Sequence, residues 1–168
     1  MTQFHFKNLT DSVRAKMAAE IKADIKDKKI YISSRLNEQG VVEYPKLVLE
    51  AAEKGNEISL GENLLVLMNQ REFNRGAQKN LPANAEKTLA QNEFNRFYMR
   101  AICAEAIEQK IEVVTIYRAR ESNHPRKRSK ALIGTELNAE AFLKDLRKHN
   151  DTEPKLLAAI NSGLSVGI

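Results

Sequence analysis

The run from residue 83 to residue 117 narrows the choice of fold more than any other part of the chain. Residues 83–109 keep a helical pattern for a length unusual in a small domain, with Phe94, Phe97, Tyr98, Ala101, Ile102 and Ala104 on the apolar side. Small residues in the second half predict close packing against another helix or a sheet. Val113, Val114, Thr115, Ile116 and Tyr117 follow, β-branched or aromatic in succession, as in a strand buried on both faces. A long helix that turns through Lys110-Ile111 into an inner strand is a frame on which everything else must pack.

Helix signals flank this frame. Thr10-Asp11-Ser12 are good caps ahead of Val13, Met17, Ile21 and Ile25, which predicts a helix over 12–28. Its other face, Arg14, Lys16, Glu20, Lys22, Asp24, Lys26 and Asp27, is mixed in sign as a solvated face should be. Ile30-Tyr31-Ile32 reads as a short strand and Asn37-Glu38-Gln39-Gly40 as a turn. Pro45 opens a second helix that Gly55-Asn56 ends, and 58–68 reads as a third, fully or mostly buried. Residues 70–82, with Asn74, Gly76 and Asn80 and little apolar material, read as a flexible surface loop. Asn138 caps a helix with Phe142, Leu143 and Leu146 inward. Glu153-Pro154 starts another through Leu156, Leu157 and Ile160 to Gly163, and residues 164–168 form a closing strand.

The count is about six helices and two or three strands. That pattern predicts an α+β fold, a mainly helical single domain over residues 1–168 packed on a small sheet, rather than a doubly wound α/β fold. A chain of 168 residues with 42% apolar side chains can fill one core. Its apolar runs, such as 64–68, fall far short of the roughly 20 residues a spanning helix needs, which argues against a membrane partner. The single cysteine, Cys103, cannot close an intramolecular disulfide, and no secretion signal opens the chain, so the expected location is cytoplasmic.

Charge is distributed unevenly. The chain holds 27 Lys and Arg against 22 Asp and Glu, a net +5. Within 117–130, YRARESNHPRKRSK, Arg118, Arg120, Arg126, Lys127, Arg128 and Lys130 face only Glu121; without that segment the remainder has 21 residues of each sign. The excess therefore sits in one place, a basic arm over 118–130.

Side chains suited to catalysis are sparse. His5, His124 and His149 are far apart in sequence, and no HExxH, CxxC, GxSxG or Gly-rich phosphate loop occurs. Cys103, between Ile102 and Ala104, reads as a small buried hydrophobe. A Mg²⁺-dependent nuclease would need clustered carboxylates and a lysine. Glu108, Lys110 and Glu112 are the nearest approach, a spacing common by chance. Glu72-Phe73-Asn74-Arg75 recurs as Glu93-Phe94-Asn95-Arg96, but the flanking residues do not match. The echo reads as coincidence, with both phenylalanines anchoring helices.

Binding is the better reading, with no cofactor, metal or catalytic centre expected. Arg118 and Arg120 would share a strand face, Asn123-His124-Pro125 would turn, and Arg126, Lys127, Arg128 and Lys130 would extend the cationic ribbon toward a nucleic-acid backbone, DNA or RNA. Arg96 and Arg100, four apart on the long helix with Asn92, would support it, and Arg71 and Arg75 would extend the surface. The alternative is a protein-interaction or assembly component, for example of a mobile element or multi-subunit complex. In that reading Phe4-His5-Phe6 and residues 164–168 pack on a neighbour, either an acidic partner or a second copy of the chain.

Overall fold

A computed structural model describes residues 3–157 and 160–168. Among these residues there are six α-helices and two small antiparallel sheets: α1 (Asp11–Lys26), α2 (Glu38–Lys54), α3 (Glu57–Leu64), β1 (Arg71–Asn74), β2 (Ala77–Asn80), α4 (Ala85–Glu108), β3 (Val113–Arg118), α5 (Lys127–Leu132), β4 (Glu136–Asn138), α6 (Ala139–Lys148) and β5 (Leu164–Gly167). The α+β expectation therefore holds. No helix among the described residues is long and apolar enough to cross a membrane.

The 24-residue α4 is the axis. It is buried on nearly all sides along its length, from Leu89 and Phe94 through Phe97, Tyr98, Met99 and Ile102 to Ala106. Helices α1, α3 and α6 make its largest contacts, and one continuous apolar core runs from Val13 on α1 to Val166 on β5. The small residues behave as their size predicts: Ala101 and Ala106 are fully buried where neighbours come close.

Beside α4 lies a three-stranded sheet in the order β4-β3-β5, with Val113 opposite Asn138 and Ile116 opposite Val166. Strand β3 buries Val114, Ile116 and Tyr117 but exposes Thr115, so it is not buried on both faces as its composition suggests. Strand β5 is buried throughout. The N-terminal segment also folds onto its own chain: Phe4 stacks on Phe6 at 5.3 Å, and Phe6 meets Phe94 and Tyr98 at 5.2 and 4.7 Å. Both apolar ends are thus held within the molecule.

Several expectations give way to tertiary context. Asn37 opens α2 instead of a turn: its Oδ1 accepts the Gly40 amide at 2.8 Å, and the helix runs through Pro45, whose missing donor falls at exposed Val41. Ile30-Tyr31-Ile32 forms no strand, because the amides of Lys29 and Ile30 bond the Asp24 carbonyl at the end of α1. The third helix stops at Leu64, and a single 3-10 turn leaves Leu65 and Val66 at 61% and 79% exposure. Within 70–82, expected as a surface loop, residues 71–80 pair as a β-hairpin, turned by Arg75 and Gly76 at φ 50° and 78°, as a type I′ turn requires. The same stretch places Phe73 on a strand at 78% exposure, while its echo Phe94 is buried in α4. Residues 153–157 form no helix, and residues 158 and 159 of the expected one lie outside the described residues. Gly163 does take the left-handed conformation expected of it, at φ 76°, closing the 3-10 turn Ile160–Ser162; a Cβ there would lie 2.6 Å from the Arg120 carbonyl.

The solvated face expected on α1 is the largest correction. Glu20 and Asp24 are 9% and 7% exposed, and Arg100 of α4 is 2% exposed between them. Its Nη1 and Nη2 donate to the two Asp24 oxygens at 2.6 and 2.9 Å, its Nε donates to Glu20 at 2.7 Å, and Arg147 of α6 donates to Glu20 at 2.5 Å. Burial opposes the Glu20 charge, yet bonds from Arg147 and Arg100 outweigh it and hold the carboxyl below its ordinary value. Arg100→Met would strand the desolvated Asp24 carboxylate and leave Glu20 with Arg147 alone, and should lower stability by about 3–5 kcal/mol. Urea denaturation measures this, and a loss under about 1 kcal/mol would mean that these charges do not depend on Arg100.

Candidate functional site

The basic arm of the sequence is in fact two structures. Its first part continues β3 and is tied down. Arg118 Nη1 donates to the Ser162 carbonyl at 3.2 Å, and Arg120 donates to the Asn161 carbonyl at 2.8 Å and to Oε1 of Gln91 on α4. The amides of Ala119 and Arg120 both bond the Gly163 carbonyl, at 2.9 and 3.0 Å. The Arg120 guanidinium lies 5.2 Å from the Phe4 ring centroid. Burial, then the neighbouring charge of Arg118, lowers the pKa of Arg120. Neither arginine is folded onto a carboxylate by any of these bonds.

The second part is α5, a six-residue helix where an extended arm is expected. Pro125 precedes Arg126 at the N-cap, and a helical turn follows because Ser129 is buried at 2% while its neighbours project. Arg126, Lys127, Arg128 and Lys130 are all exposed, and none makes an ion pair with another described residue. Between the tethered and the projecting parts lies a cleft of about 210 Å³. Arg120, His124 and Arg126 line it with the hydroxyls of Ser122, Ser129 and Ser162. Guanidinium, imidazole and hydroxyl donors around one polar hollow suit an oxyanion such as a backbone phosphate.

The support expected from Arg96 and Arg100 is absent from this surface. Arg100 is committed to Glu20 and Asp24, and Arg96, 3% exposed, donates to the carbonyls of His149 and Thr152 and faces Glu93 at 3.5 Å. Both lie on the buried girth of α4, where an arginine persists only with acceptors at hand. The missed signal is on α1, where Glu20 and Asp24 lie four apart as a ready receptor for a guanidinium. Sequence reasoning also missed Gln91 and Asn161, which position Arg120.

The residues considered for catalysis do not converge. Cys103 is buried, and burial pushes its thiol up to about 12. Glu108 pairs with Lys16 on the α1 side, whereas Glu112 is exposed at the entry to β3. Among the described residues, no three His, Cys, Asp or Glu side chains gather as a metal site would require.

A second hollow, about 390 Å³, opens where Tyr31, Ser33 and Arg35 face Asn92, Glu93 and Arg96 of α4 and residues 151–153. Glu93 is its most perturbed member: burial raises its carboxyl to about 7 against the opposing pull of Arg96 and Arg100. Tyr44, fully buried, is driven well above its ordinary value by burial and then by the Glu93 charge. Because the fold prefers Glu93 protonated, its contribution is present in full below the unfolded value near 4.5 and is lost as pH rises through about 7. Glu93→Gln should flatten the fall in stability between pH 5 and 8 and gain on the order of 2 kcal/mol at pH 8. Melting curves across that range check it, and parallel curves for parent and variant would refute it.

No protein-family model, curated protein or solved structure matches the chain, so its own side chains carry the functional reading.

Proposed function

We propose that the protein works by binding the phosphate backbone of a nucleic acid through Arg126, Lys127, Arg128 and Lys130 at α5, with Arg120 lining the cleft and Arg118 on the adjoining end of β3. One observation carries this reading: the segment that holds the chain's entire charge excess presents four exposed cations with no ion pair to a described residue. Cations that serve the fold look different here. Arg100 and Arg147 are consumed by buried acids, and Arg35 by Glu72 at 2.7 Å. A handful of phosphate contacts from such a surface supports salt-sensitive, sequence-independent affinity in roughly the micromolar to hundred-micromolar range.

A second reading, subunit or partner-protein contact, is favoured by a different place. Val42 and Val66 are 78% and 79% exposed on adjoining elements, where Asn37 Nδ2 donates to the Val66 carbonyl at 3.3 Å. Large aliphatics this exposed on adjoining elements suit an interface. The apolar ends of the chain no longer argue for this reading, since both pack on their own domain.

Replacing Arg126, Lys127 and Arg128 together by Ala should leave the fold intact, because all three are exposed. The variant should bind a duplex probe more weakly, with a log affinity versus log salt slope shallower by about 2 to 3. Anisotropy titrations at several salt concentrations supply both numbers, and unchanged affinity at low salt would eliminate the proposal. If the second reading holds instead, the parent elutes with light scattering as a dimer or larger species free of nucleic acid, and Val42→Ser with Val66→Ser makes it monomeric.

A further inference from the structure

The β1–β2 hairpin has no role in the packed core. Its ten residues are exposed except Glu72, which is half-buried, and its main contacts are between its own two strands. Arg35 Nε donates to Glu72 at 2.7 Å and ties it to the body. That bond fixes the orientation of the ribbon. Alternation puts Glu72 and Lys79 on the face toward the body and Arg71, Phe73, Gln78 and Asn80 on the opposite one, since Phe73 pairs with Gln78 and Arg71 with Asn80.

Phe73 is the exception among the six phenylalanines. The other five lie in or against the core, whereas Phe73 is 78% exposed at the middle of the outward face. Around it the ribbon carries Arg71, Arg75 and Lys79 without ion pairs to described residues, and the single acid is taken by Arg35. The apex adds a further sign. Arg75 holds φ at 50°, a left-handed conformation that Asn or Gly adopts with less strain, so the tip keeps a cation where local preference would remove it.

We propose that this hairpin is a stacking arm for single-stranded nucleic acid, with Phe73 as the platform for an unpaired base and Arg71 and Arg75 on the flanking phosphates. The inference rests on the backbone-binding reading of α5 and adds the strand class. An aromatic ring on a protruding ribbon can stack only on a base that is not already stacked in a helix, and the adjoining cations complement the phosphates that accompany such a base. A protein partner would call for a wider apolar face than one ring among Arg, Gln and Asn.

The full chain is titrated with a labelled oligo-dT and with a duplex of equal length at low salt. Phe73→Ala should weaken oligo-dT binding about tenfold and change duplex binding less than twofold. The Arg126, Lys127, Arg128 triple variant should weaken both. The chain contains no tryptophan, so Phe73→Trp supplies a single reporter whose emission oligo-dT should quench. Equal oligo-dT affinity for parent and Phe73→Ala, or unquenched emission at saturation, overturns the stacking arm while α5 binding stands. Retention of neither probe by the parent overturns both.

Discussion

The rest of the structure depends on how Arg100 is neutralised. A guanidinium that is 2% exposed cannot persist without geometrically matched acceptors, and α1 supplies them at a spacing of four residues, Glu20 and Asp24. Arg147 reaches Glu20 from α6, so three helices meet at one set of charges. Desolvation offsets much of the Coulombic attraction in such a set, and apolar residues of similar volume would hold the helices about as well. What the charges add is discrimination. A slip of α1 along α4 by one turn would leave Arg100 one carboxylate instead of two, whereas an apolar seam tolerates such a slip.

Helix α4 extends this logic along its length. Four polar residues on its buried girth each secure a different part of the molecule: Gln91 accepts from Arg120, Asn95 donates to the Leu164 carbonyl at 2.9 Å, Arg96 donates to the carbonyls of His149 and Thr152, and Arg100 binds α1. A helix surrounded by protein has no solvated face on which to place polar residues, so each must find a partner. These contacts fix the rear of the basic segment to the same axis that organises the core.

The sequence revealed what period and capping encode. The long helix, the strand after it, the Asn138 cap and the left-handed Gly163 are local features, and the structure has them within a few residues. Glu-Phe-Asn-Arg shows where local reading ends. At 72–75 it forms a strand and an I′ turn because Gly76 follows; at 93–96 it is helical because apolar residues recur at helical spacing on both sides. The same four letters thus expose one phenylalanine and bury the other. Of the candidate site residues, those on α5 are exposed as their charge implies, whereas Arg96 and Arg100 are buried, because the acids and carbonyls that accept them come from distant stretches of the chain.

The cations on α5 are left without a structural reason of their own. The first turn of that helix holds Lys127 and Arg128 and no acid, and the Arg126 side chain makes no capping bond. Positive charge beside unsatisfied first-turn amides is locally unfavourable, the reverse of the arrangement in α1 to α4 and α6, each of which places an acid in its first turn. Helix stability therefore selects against Lys127 and Arg128, though not against Lys130 in the last turn, and ion pairing among the described residues does not offset this. On the proposed reading, a phosphate facing these cations would supply the opposite charge that no described residue provides.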